Sequence, residues 1–156
     1  MTIDPGLSGT GFALWDLEQW KEQIILSKKS IYKIHPITNG NIYREDKIVF
    51  VLEKLIMKYN IVEVYIEQAS FMGTTAKGQM VAGKGYLVKL AGFIGRITDT
   101  FKRYNVKVEL VPVMKWKGTM TKDAVIKRIC KRVGDIEANS HAWDAIGVGL
   151  YMTGVF

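Results

Sequence analysis

The stretch IVEVYIEQ, Ile61 to Gln68, constrains the fold of this 156-residue chain more than any other segment. Four of its residues are β-branched, Tyr65 is aromatic, and the run ends on a carboxylate, a pattern that suits a largely buried strand. Helical patterns flank it. From Ile42 to Tyr59, Ile48, Val51, Leu52, Leu55, Ile56 and Tyr59 recur at helical spacing. A long helical region from about Thr75 to Tyr104 follows, then a second strand, Val106 to Val113. Two helices, Thr121 to Val133 and Ser140 to about Met152, end the sequence. At the front, a short strand ends at Asp4. After a glycine-rich turn, Gly11 to Leu17 and Gln23 to Lys29 read as two more strands, and SIYKI extends the sheet until His35-Pro36 stops it. A strand run between helices predicts a mixed α/β sheet covered by helices. No repeat or linker interrupts the order, so one domain over residues 1–156 is expected.

Charge is distributed unevenly along this order. The net charge is +7. Lys77 to Arg132 holds 14 Lys or Arg against three acids, a net +11, whereas the remainder is −4. A basic half beside an acidic half suggests a polyanion held by the first and something cationic held by the second. Lysines that merely solvate helix faces are the plainer reading. The single cysteine, Cys130, excludes an internal disulfide and a multi-cysteine zinc site. No apolar run approaches the ~20 residues that span a bilayer, so no membrane association is expected. No signal or transit pattern is visible at the N-terminus, and a cytoplasmic location is expected.

The acidic residues then take on a pattern. Asp4 ends the first strand and Glu67 ends VYIEQ. If the two strands are parallel neighbours, their carboxylates lie side by side at one sheet edge. In NSHAWDAIGVGLY, Asn139 or Ser140 can cap a helix whose first turn places His141 and Asp144 three residues apart, on one face. The small residues Ala142, Ala145, Gly147 and Gly149 let that helix approach the sheet. Each residue also has a plainer role: Asp4 suits turn chemistry before Pro-Gly, Asp144 suits the helix dipole, and His141 suits capping or packing. Together, three carboxylates in one place raise one another's pKa, and a divalent cation relieves the repulsion. Hard oxygen ligands favour Mg²⁺ or Mn²⁺, and two such ions ~3.5–4 Å apart suit phosphodiester hydrolysis.

With these residues placed, the chain resembles the RuvC family of Holliday-junction resolvases, which have the ribonuclease H-like fold with its mixed central β-sheet flanked by α-helices. IDPGLSGTGFAL is similar to the family's opening strand and turn, VYIEQ to its second motif, and HAWDAIGVGLY to its C-terminal motif. The resemblance implies that Asp4, Glu67, His141 and Asp144 hold two Mg²⁺ or Mn²⁺ ions, with His141 a ligand or a proton carrier. It implies a homodimer that binds a four-way DNA junction and makes paired cuts, leaving 5′-phosphate and 3′-hydroxyl ends, without a nucleotide cofactor. Phe71 falls where the family bears an aromatic that probes the junction centre. Lys115, Lys117 and Lys122 fall where family lysines touch scissile phosphates, Lys122 fitting best as a catalytic group. Lys77 and Lys84 in the basic half are further expected DNA contacts. The family's Gly-Gln-x-x-Gly is only approximated by Gly78, Gln79 and Gly83. Many relatives have aspartate where His141 stands. These departures suit a distant, phage-encoded branch, in a bacterial or phage-infected cell.

Three other readings stay open. A ribonuclease H acting on RNA–DNA hybrids, or a nuclease of flaps and forks, shares the metal chemistry. A catalytically dead nucleic-acid-binding module would keep the basic half and lose an acid, and none is missing. The glycine turn lacks the Lys-Ser/Thr of a P-loop, and the actin and sugar-kinase plan needs two domains.

Overall fold

The computed structural model describes residues 1–16, 45–68, 85–154 and 156. Nine elements follow in order. They are β1 (Thr2–Asp4), β2 (Gly11–Ala13), α1 (Glu45–Tyr59), β3 (Glu63–Gln68), α2 (Tyr86–Arg103), β4 (Lys107–Pro112), α3 (Val113–Trp116), α4 (Lys122–Val133) and α5 (Ser140–Met152). The strands form one sheet in the order β2-β1-β3-β4. β1 runs antiparallel to β2 and parallel to β3, and β3 runs parallel to β4.

Side-chain alternation on the strands separates two apolar layers. Ile3, Phe12, Val64 and Ile66 point into the first, where α1 supplies Ile48 and Leu52 and α2 supplies Phe93, Ile97 and Phe101. Ala13, Tyr65 and Val111 face the second, which is filled by Trp116 of α3, Val125 and Ile129 of α4 and Ile146 and Leu150 of α5. Helices therefore cover both faces, as a sheet with parallel central strands requires. This mixed sheet with its helical layers is a ribonuclease H-like α/β fold. Among the described residues, no helix is long and apolar enough to cross a membrane.

Several boundaries differ from the sequence expectation, each for a local reason. The strand expected over Gly11 to Leu17 stops at Ala13, and beyond it the Trp15 Nε1–H donates to Thr2 Oγ1 at 2.9 Å. The strand expected to reach Val113 ends at Pro112, and Val113 begins the one-turn helix α3. Thr121 lies outside α4 as its N-cap, accepting from the Ala124 amide, and Asn139 rather than Ser140 caps α5, accepting from the Ala142 amide. The described part of the long helical region begins at Tyr86, after Gly85 in the left-handed conformation. The expected strands over residues 23–29 and SIYKI, and residues 42–44 and 75–84 of the expected helices, lie outside the described residues.

Candidate active site

β1 and β3 deliver two acids to one place. Ile3 pairs with Ile66 in parallel register, so the next residues, Asp4 and Glu67, leave the ladder beside each other at the carboxyl ends of their strands. Because Ile3 and Ile66 point into the α1–α2 layer, Asp4 and Glu67 point to the opposite face, where α5 lies. Gly11 allows that helix its close approach: a Cβ there would stand 2.1 Å from the His141 carbonyl carbon and 2.3 Å from the Ala142 amide. Gly6, in the turn after Asp4, similarly leaves room for the imidazole, since a Cβ would stand 2.7 Å from His141 Cε1.

The first turn of α5 completes the cluster. His141 Nδ1 lies 2.6 Å from Asp4 Oδ2. Asp144 Oδ2 accepts from Lys122 Nζ at 2.5 Å, and the same ammonium donates to the Ser140 carbonyl at 2.5 Å. Lys117 Nζ stands 3.5 Å from Asp144 Oδ1. That oxygen is buried and, among the described residues, has no hydrogen-bond partner. Glu67 Oε2 accepts from Trp116 Nε1–H at 2.9 Å.

Burial dominates the electrostatics. Asp4 is only 6% exposed. Desolvation pushes its carboxyl above the usual range, the hydrogen bond and charge of His141 oppose that, and the Asp144 charge adds to it. Glu67 is pushed up to about 8, first by burial and then by the charges of Asp4 and Asp144, against the Trp116 hydrogen bond and the Lys117 charge. The imidazole of His141 is raised, chiefly by its hydrogen bond to Asp4. The charges of Asp4 and Asp144 thus bear on Glu67, and that of Asp144 on Asp4, while His141 and Lys122 oppose the rise at Asp4 and Lys117 that at Glu67.

In chemical type the residues fit a hard divalent cation: three carboxylates and an imidazole converge, the charges of Asp4 and Asp144 raise the Glu67 carboxyl, and among the described residues one buried oxygen of Asp144 lacks a hydrogen-bond donor. Among the described residues, no three His, Cys, Asp or Glu side chains are gathered tightly enough to form a metal shell. The reason is visible in the pairing. Asp4 is turned to His141, Glu67 to Trp116 and Asp144 to Lys122.

Of the residues singled out from the sequence, Asp4, Glu67, His141, Asp144, Lys117 and Lys122 are brought together. Lys115 is exposed on α3 and, among the described residues, makes no ion pair with the acids; Lys117 is the second lysine at Asp144. Phe71, Lys77, Lys84 and the Gly78, Gln79 and Gly83 pattern lie outside the described residues. Trp116 was missed. Its apolar ring between two lysines gave no sign of its contact, which depends on α3 folding back beneath Glu67.

The sheet order and the two helical layers give the ribonuclease H-like fold. Within it, a Thermus thermophilus RuvC in complex with a Holliday junction substrate superposes with a TM-score of 0.61 at 16% identity, covering 98% of this chain and 94% of that one. A second Thermus thermophilus RuvC structure gives 0.58 at 17% identity, covering 98% and 95%. Neither a protein-family model nor a curated protein matches the chain.

Proposed function

We propose that this protein is a metal-dependent DNA endonuclease that resolves four-way junctions by paired phosphodiester hydrolysis, leaving 5′-phosphate and 3′-hydroxyl ends. The observation that carries the reading is the convergence of Asp4, Glu67 and Asp144, with His141, at the carboxyl ends of β1 and β3. The fold likeness over 98% of the chain to a RuvC that holds a Holliday junction substrate supports it.

Asp4, Glu67, Asp144 and His141 would hold Mg²⁺ or Mn²⁺, which supplies an activated water and neutralises charge on the phosphodiester. The chain's own groups prepare that site. Trp116 holds one oxygen of Glu67, and Asp4 fixes Nδ1 of His141, which sets the direction of the imidazole. Lys122 and Lys117 stand beside Asp144, where their ammonium groups can steady charge on the cleaved phosphate. Matched cuts in opposing strands need two such sites, hence a homodimer.

The test is incubation with a labelled four-way DNA junction, a linear duplex and an RNA–DNA hybrid, with and without Mg²⁺ or Mn²⁺, alongside Asp144→Asn. Paired, metal-dependent nicks in the junction, absent in the variant, are the expected result. Cutting of the hybrid instead would assign a ribonuclease H activity, and junction binding without cutting would leave a binding module.

A further inference from the structure

We infer that the outer face of α4 is a second DNA-binding site, a cationic patch that takes the phosphate backbone of a junction arm beyond the point of cleavage. The inference rests on the DNA-nuclease reading and names where the arm lies. Lys127, Arg128, Lys131 and Arg132 are all exposed and, with Ala124, line a surface depression of about 660 Å³.

The arrangement is poor as a merely solvated helix face. Lys127 and Lys131, and Arg128 and Arg132, are like-charge pairs at i,i+4, which weaken a helix. The helix's own acid, Asp123, sits in its first turn. Among the described residues, none of the four cations forms an ion pair. Lys131 and Arg132 suit the negative end of the helix dipole, but Lys127 and Arg128 lie a turn earlier and gain little from it. Arg128 is anchored by neutral groups alone, its guanidinium 4.8 Å from the Phe156 ring centre and its Nη1 3.8 Å from Met120 Sδ. Its charge is therefore positioned without being neutralised.

The patch shares its helix with the candidate active site. Lys122, bonded to Asp144, begins the same helix. At about 1.5 Å and about 100° per residue, Lys131 lies about 14 Å farther along the axis and about half a turn round it. A strand whose scissile phosphate meets Lys122 must pass round α4 to reach the patch, as a branched nucleic acid's separate arm can, and four exposed cations suit its phosphate backbone.

The experiment compares Lys127→Ala/Lys131→Ala with a charge-matched control on α1, Lys54→Ala/Lys58→Ala. Binding to a fluorescent four-way DNA junction is measured over a range of salt in the presence of a chelator. Two lost phosphate contacts should flatten the slope of log affinity against log salt by about 2 and weaken binding at about 0.1 M salt by about tenfold. The control should change the slope far less. The patch variant should melt no lower than the parent, because it loses a like-charge pair. Equal slopes in the two variants overturn the patch while leaving the nuclease reading intact. An unaltered protein without salt-dependent junction binding overturns both. Loss of binding to phosphatidylserine vesicles with no loss on the junction would overturn the patch in favour of a membrane surface.

Discussion

Glu67 illustrates how one residue's surroundings set its charge before any ligand binds. Burial and the charges of Asp4 and Asp144 raise its carboxyl from 4.5 to about 8. A carboxyl raised on folding binds its proton more tightly in the fold than in the open chain. Its contribution to stability is present below about pH 4.5 and is lost as pH rises through about 8. Glu67→Gln removes that titration while keeping an oxygen for Trp116. In chelator, the variant's melting temperature should therefore gain on the parent's steadily from pH 5 to pH 9. The expected gain is on the order of 2 kcal/mol, less than an isolated group with this shift would give, because His141 offsets part of the Asp4 charge. Parallel melting profiles would show that Glu67 does not carry the proton. Trp116 acts on the same carboxylate, since its Nε1–H bonds the charged form and holds the pKa down. Trp116→Phe keeps the ring edge toward Phe156 but loses the donor, at a cost of about 1–3 kcal/mol. The pH at which the chelated protein loses stability should move upward in this variant, and the movement should vanish in a Glu67→Gln background. A plain loss of packing would lower the melting temperature without moving that pH.

At the level of elements, the close seating of α5 on β2 decides whether His141 reaches Asp4. Gly11→Ala would drive a Cβ into the backbone of His141 and Ala142, which cannot swing aside as a flexible side chain could. The expected loss is about 1–3 kcal/mol or more by thermal melting, together with impaired cutting as α5 is displaced. Gly92→Ala should act with the opposite sign. Gly92 lies inside α2 and, among the described residues, nothing stands within 4 Å of an added Cβ, so the change should stabilise by about 0.5–1 kcal/mol. If Gly11→Ala melted like the parent, the close approach would not limit α5. These elements also mark what the sequence could reveal. The alternation in β3 was legible, with Val64 and Ile66 inward to one layer and Glu67 to the other, because one strand's pattern depends only on its own residues. The spacing of His141 and Asp144 was legible for the same reason, being fixed by helix geometry. The sheet order and the parallel pairing of β1 with β3 were not contained in either pattern. They depend on contacts between segments some sixty residues apart, and the reading of Asp4 beside Glu67 needed them as an assumption. α3 was hidden because four residues show no period, and with it went the Trp116 contact. Lys117 against Lys115 is a choice of helix face within that same turn.

Across the whole molecule, the proposed binding and cutting would draw on opposite charges. The basic span from Lys77 to Arg132 carries +11 and attracts phosphate, while the acids at the ends of β1, β3 and α5's first turn repel it. Without a divalent cation, a junction strand passing Asp144 meets a carboxylate only partly offset by Lys122 and Lys117. Asp144→Asn removes that repulsion and frees both ammonium groups for phosphate. At about 6 Å and an effective dielectric between about 40 and 80, one unit charge is worth about 1 kcal/mol, or about fivefold in affinity. In chelator, Asp144→Asn should therefore bind the four-way junction about fivefold more tightly than the parent. With Ca²⁺, a hard divalent probe used in place of Mg²⁺ or Mn²⁺, the parent's acids are neutralised and the difference should close. Added salt should shrink the advantage, because the offsetting interaction is with exposed phosphate. Weaker binding by Asp144→Asn under both conditions would instead mean that Asp144 chiefly holds Lys122 and Lys117 in place, and that its pairing with them, rather than a cation, explains its position.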